Sequence, residues 1–119
     1  MSPEAWHDRV AVMIEDIDRI AAFIGPLTRD QFPADEKAVF AVCYAFVRLG
    51  QAVTNIPSDV IATNPQIEWG DIRHFRNFMV HVYLAVDPLR LFDTAVTDLP
   101  ALRMKLEALL RTDPPAPQK

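Results

Sequence analysis

Apolar residues recur at three- and four-residue spacing along almost the whole chain, and prolines cut that rhythm into short pieces. Trp6, Val10, Met13, Ile14, Ile17, Ile20, Ala21 and Ile24 make one stripe, with Glu15, Asp16, Asp18 and Arg19 between them. This predicts an amphipathic helix over residues 3–24. Gly25-Pro26 ends it, and Thr28 and Gln31 stand at capping-box spacing before Phe32-Pro33. A second helix is predicted from about Asp35 to about Ile56. Its apolar residues (Val39, Phe40, Val42, Cys43, Phe46, Val47, Leu49, Ala52, Val53, Ile56) cover more than one face, so a partner subunit is expected to help bury it. Pro57-Ser58-Asp59 opens a short helical turn that Asn64-Pro65 closes. A third main helix is predicted over about Glu68–Val86. Asp87-Pro88 stops it and starts a fourth, with Asp as the cap and Pro at the first helical position. Pro100 separates or kinks the last helix, residues 99–111. No segment reads as a strand. The expected fold is all-α, an antiparallel four- to five-helix bundle.

Composition narrows the function classes. The chain has 119 residues, half of them hydrophobic, which suits one domain with its own core. Residues 1–111 are expected to form that domain and residues 112–119 a disordered Pro-rich tail. Three glycines disfavour Gly-rich phosphate loops, and the single cysteine, Cys43, excludes an internal disulfide and a thiolate zinc cluster. Three histidines without a ligand cluster predict no metal site, and no cofactor is expected. No uninterrupted apolar run or signal-peptide pattern stands out, so a cytoplasmic protein without membrane contact is expected. The net charge is −4: residues 1–40 hold eight acids and four bases, and the remainder eight of each. No basic stripe exists to coat a duplex, so any nucleic-acid chemistry belongs to a small site.

Residues 68–86 carry the most information. At about 100° per residue, Phe75, Phe78, Met79, Val82 and Val86 fall on one arc, the expected core stripe. Arg73, His74, Arg76, Asn77, His81 and Tyr83 fall on the other, which the core does not explain. Val80 and Leu84 sit amid that polar arc, as at a subunit interface with a polar pocket set into it. Asn77 and His81, four apart, can meet. Histidine exchanges protons near neutral pH, and arginine offers permanently charged donors suited to phosphate. A base for a 2′-hydroxyl, a cation for phosphate charge and an acid for the leaving group would suffice for RNA cleavage. Two copies of this helix across a two-fold axis could supply both base and acid.

The pattern Arg76-Asn77-x-x-x-His81-x-Tyr83, with four residues between Arg76 and His81 and Tyr83 two after His81, resembles the signature of HEPN-domain ribonucleases. The fuller layout resembles the HepT branch, toxins of HepT/MNT toxin–antitoxin systems: Leu49-Gly50-x-Ala52, Trp69, Val86-Asp87 and Leu99-Pro100-x-Leu102 all have counterparts. The likeness spans about residues 8–111. It implies a dimeric helical bundle whose motif helices share one cleft, and metal-independent cleavage of RNA. Arg76 and His81 would be the catalytic pair, and Asn77 the accompanying polar residue that contacts RNA. Tyr83 would be the residue that a minimal nucleotidyltransferase antitoxin modifies with AMP. Arg73 reads as a phosphate contact or an interface ion pair. One departure stands out: the family commonly has Gly-Glu-Ala where this chain has Gly50-Gln51-Ala52.

Two other readings remain open. The same bundle could serve a nucleotidyltransferase as a non-catalytic accessory or substrate-binding subunit, a reading that Gln51 and the acidic balance favour. It could also be a plain dimeric scaffold with Arg76 and His81 in solvent. His7 is expected at the surface or an interface, His74 at the edge of the motif arc, Cys43 in the core, and Trp6, Trp69 and Phe40 in packing roles.

Overall fold

The structure, a computed structural model, describes residues 3–78 and 87–112. All its regular elements among these residues are helical, and no strand occurs among them. Helix α1 spans Pro3–Ile24, α2 Glu36–Ala52, α3 Ser58–Thr63, α4 Trp69–His74, α5 Pro88–Asp93 and α6 Leu99–Leu110.

The helix boundaries follow local chemistry. Gly25 ends α1 in the left-handed region, φ 51°, where a side chain would be strained, and its N–H bonds to the Ala21 carbonyl at 2.9 Å. Thr28 and Gln31 form the reciprocal box: Thr28 N–H donates to Gln31 Oε1 at 3.0 Å, and Gln31 N–H to Thr28 Oγ1 at 3.2 Å. Asp35 caps α2 by accepting from Ala38 N–H, and Asp87 caps α5 by accepting from Leu89 N–H, with Pro88 behind it. The second helix is shorter than its periodicity suggests, ending at Ala52 in a 3-10 turn over Val53–Asn55.

Pro100 stands in the first turn of α6, and the interruption expected at it falls just ahead of it. A π turn over Thr94–Asp98 joins α5 to α6 without a break, giving one interrupted rod over residues 88–110. Proline lacks the N–H that a regular turn would send to the Val96 carbonyl, and its ring crowds that carbonyl; the wider turn ahead of it relieves both.

The core is one cluster. Val10, Met13 and Ile20 of α1 and Val42, Phe46 and Leu49 of α2 are fully buried, and Leu91, Leu102, Leu106 and Leu109 of the rod close the third side. The Glu36–Asn55 stretch is long and apolar enough by composition to cross a membrane, yet half of it is buried in this bundle. Asp16 departs from the sequence pattern: it is 2% exposed, held by Arg19 at 2.7 Å and Arg48 at 3.4 Å. A buried carboxylate survives there because both cations reach it from the half-exposed rim of α1 and α2. The rod is tied to the rest by Arg103–Asp18 and Arg29–Asp93, both bidentate at 2.7–3.0 Å.

Candidate functional site

The residues that the motif singles out begin on α4. Its start is pinned: the Trp69 indole N–H donates to the Asn64 carbonyl at 3.0 Å, and Ile72 N–H to the Glu68 carbonyl at 3.1 Å. Ile67, Trp69 and Ile72 are buried, which anchors one side of the segment in the core. Helix α4 then tightens into a 3-10 turn over Phe75–Asn77. The sequence pattern predicts one uniform helix here. In a 3-10 turn residues three apart eclipse, so the tightening turns Arg76 toward the line of Arg73.

Three residues of α2, spaced three and four apart, hold this segment. Cys43 donates its S–H to the Phe78 carbonyl at 3.6 Å. Burial pushes the Cys43 thiol pKa up, which keeps it a neutral donor. The Phe46 ring meets Phe75 and Phe78 edge-on, with centroids 4.9 and 5.3 Å away. At Gly50 the two backbones touch. A Cβ there would stand 2.6 Å from the Arg76 nitrogen, 2.8 Å from the Ile72 carbonyl and 3.1 Å from the Arg73 carbonyl. Only a hydrogen fits between α2 and the turn that bears Arg76.

The side chains so positioned stay in solvent: Arg73, His74, Arg76 and Asn77 are all exposed. On α2 itself, Phe40 and Tyr44 are 51% and 60% exposed, followed by half-buried Val47 and exposed Gln51. Phe40 is thus not a packing residue within this chain. Part of the broad apolar surface on α2 is left uncovered, and this stripe is that part.

On the opposite flank, α4 borders a cleft of about 480 Å³ facing the rod. Its walls carry Asp71, His74, Arg90, Thr94, Thr97 and Asp98 over an apolar floor that includes Phe75 and Phe78. Arg90 sits 5.9 Å from the Phe78 ring centroid, and Lys105 bonds Glu68 at 2.6 Å across the lining. Among the described residues no three His, Cys, Asp or Glu side chains group as a metal site requires.

The sequence profile of the ribonuclease HepT-like family matches residues 13–109. The chain belongs to the HepT-like ribonuclease family. It is similar to a protein of Thermococcus cleftensis named Probable ribonuclease HepT, 33% identical over 102 residues, covering 86% of this chain and 93% of that one. Two proteins of Methanocaldococcus jannaschii that carry RNase names are 26% and 25% identical over 99 residues, each alignment covering 83% of this chain and 82% of the relative. No solved structure matches the chain.

For this HepT-like ribonuclease, the structure leaves Arg73 at the end of α4 and Arg76 and Asn77 on the following 3-10 turn all exposed, with His74 between them lining the cleft. His81 and Tyr83 lie outside the described residues, as do Val80 and Leu84. His7 is half-buried against Trp6, ring centroids 3.9 Å apart, and its Nε2 is buried without a hydrogen bond. In the sequence, Gly50 has no structural role beyond its place in the pattern. A glycine inside an otherwise helical run was the available signal, because such a residue weakens the helix unless a close approach requires it.

Proposed function

We propose that the protein is an endoribonuclease toxin that acts as a homodimer, with Arg76 and His81 from both copies in one cleft and a minimal nucleotidyltransferase as its antitoxin. The observation that carries this reading is the setting of Arg76. Its backbone is locked against Gly50 while its side chain is exposed, and α2, which carries Gly50, also bears an apolar stripe that this chain leaves uncovered. A cation held that firmly and left unpaired among the described residues suits a phosphate, and a second copy covering Phe40 and Tyr44 would enclose it. A charge fixed in advance stabilises developing phosphate charge without reorganising.

In this mechanism His81 of one copy takes the proton of the ribose 2′-hydroxyl, whose oxygen attacks the adjacent phosphorus. Arg76 and Arg73 neutralise the phosphorane oxygens, and Asn77 orients the histidine or the RNA. The 5′-oxygen of the next nucleotide leaves with a proton from the other His81, giving a 2′,3′-cyclic phosphate. Tyr83, two residues after His81, would be the site where transfer of AMP silences the enzyme.

The test is cleavage of single-stranded RNA by the purified protein in EDTA, comparing wild type with Arg76→Ala and His81→Ala. Cleavage by wild type, with both variants at least about a hundredfold slower and the dimer intact by ultracentrifugation, is the expected result. Growth inhibition on expression, relieved by a co-expressed nucleotidyltransferase and by His81→Ala, tests the toxin role. Gln51 is exposed at the end of α2, the one departure from the pattern this chain resembles; this favours a second reading, a non-catalytic nucleotidyltransferase subunit. Absence of cleavage in all three proteins, with Tyr83 unmodified by mass spectrometry, would establish that reading instead.

A further inference from the structure

We propose that the cleft between α4 and the C-terminal rod is a subsite for one unpaired nucleobase of the RNA strand, flanking the phosphate that faces Arg76. The proposal rests on the ribonuclease reading above. Four observations converge on it.

The first is position. Asp71 and His74 line the cleft from the same segment that presents Arg73 and Arg76. Asp71 and Arg76 are five residues apart, about 7–8 Å along a helix axis, so a strand crossing Arg76 reaches the cleft mouth within adjoining nucleotides.

The second is charge. Glu68, Asp71 and Asp98 face Arg90 and Lys105 across the lining, and Lys105 is already engaged by Glu68. A bare phosphate would meet more carboxylates than free cations. A peptide cation would satisfy Asp71 and Asp98 but would meet Arg90. A nucleobase carries no net charge and presents donors and acceptors together, which this mixed rim can answer on both sides.

The third is the floor. Half-buried Phe75 stacks at 24° on Phe78, centroids 5.8 Å apart. Phe78 is only 8% exposed and backs the floor, so Phe75 and the exposed Arg90, 5.9 Å from the Phe78 centroid, are the groups a base would meet. Aromatic rings and a guanidinium plane are the surfaces on which proteins receive splayed-out bases. The apolar groove between α1 and the rod, lined by Ile17, Ile20, Val96 and Leu99, has the volume for a ligand but little polarity to orient a base.

The fourth is the π turn. It sits on the cleft wall and contributes Thr94, Thr97 and Asp98 to it. A helix interrupted by such a turn is less favourable than a regular one and is commonly kept where it serves a site. Here Pro100 makes the turn, and the cleft takes its side chains.

The test uses the full-length dimer and the four ribonucleosides as probes, with NMR of the Thr94 and Thr97 methyl groups as the readout. Ala101→Trp fills the cleft from an exposed position of α6 that no core contact constrains. The expected result is a saturable response to one base class, lost in Ala101→Trp. Cleavage-site mapping on a random single-stranded pool should then show at least about a fivefold preference at a position flanking the cut, the yield of one good base-edge contact. That preference should collapse toward one in Ala101→Trp and Asp98→Asn. No nucleoside response, a response that persists in Ala101→Trp, or a response to an arginine-rich peptide alone would each overturn the proposal. The two readings fail separately. Arg76-dependent cleavage without base preference or nucleoside binding removes the subsite and keeps the ribonuclease; nucleoside binding without cleavage does the reverse.

Discussion

The turn that bears Arg76 is gripped on one flank and free on the other. Toward α2 it meets Cys43, Phe46 and Gly50 through a hydrogen bond, two edge-on rings and a direct backbone contact. Toward the rod it borders an open cleft with polar walls, spanned by the Lys105–Glu68 ion pair. The difference separates two requirements of a site on a small bundle. A charge that must sit in one place needs close packing behind it, because packed interiors do not deform continuously. A ligand that must enter needs a wall that contributes groups without filling the space.

That contrast can be broken at its strongest point first. Phe46→Ala removes a fully buried ring that holds both Phe75 and Phe78, and should destabilise by about 3–5 kcal/mol, read by chemical denaturation. A loss under about 1 kcal/mol would mean the α2 flank is not the firm one.

Gly50→Ala comes next. Alanine favours a helix over glycine by about 1 kcal/mol, yet its Cβ would overlap backbone atoms at 2.6 and 2.8 Å that cannot swing aside. A net destabilisation of about 1–3 kcal/mol is expected, as for other overpacked sites. Cleavage should fall through kcat at a temperature where the variant remains folded, because the turn under Arg76 must shift. A more stable, fully active Gly50→Ala protein would show that the close approach has no consequence for the site.

The open flank should respond to pH where the gripped one does not. The Arg103 hydrogen bond holds the Asp18 carboxyl below its ordinary 3.8, and Arg29 does the same for Asp93. A depressed folded-state pKa contributes stability above the ordinary value, and that contribution disappears as pH falls through the folded value, below 3.8. Lowering pH from about 5 to about 2.5 should therefore raise amide exchange, after correction for intrinsic rates, in the rod before it does so in α2. High salt should narrow the difference, since both pairs are exposed. The smallest effect is predicted for Thr97→Ala on the exposed wall of the cleft: stability within about 0.5 kcal/mol of wild type by thermal denaturation.

Much of the bundle was legible beforehand because helix signals are local. Gly25 after α1, the Thr28–Gln31 box, the Asp35 cap and the Asp87-Pro88 start each depend on atoms a few residues apart. The site was legible as a list of residues but not as a surface. Arg73, Arg76 and Asn77 stand out as polar groups unexplained by the core stripe, and the structure leaves them in solvent. Asp16 shows the reverse: a carboxylate among charged neighbours in sequence is buried, because Arg48 reaches it from another helix. Phe40 fails in the same way, since periodicity counts apolar positions without saying which of them this chain can cover.

By itself, then, the sequence determined the helices, their caps and the residue types of the motif, since those follow from spacing and from bonds between near neighbours. Tertiary structure alone decided that α2 crosses the motif turn at Gly50, that the turn tightens there, and that a polar cleft opens behind it. Each of those depends on the distance between segments 20 or more residues apart, which is set by how whole helix faces interlock and is encoded at no single position.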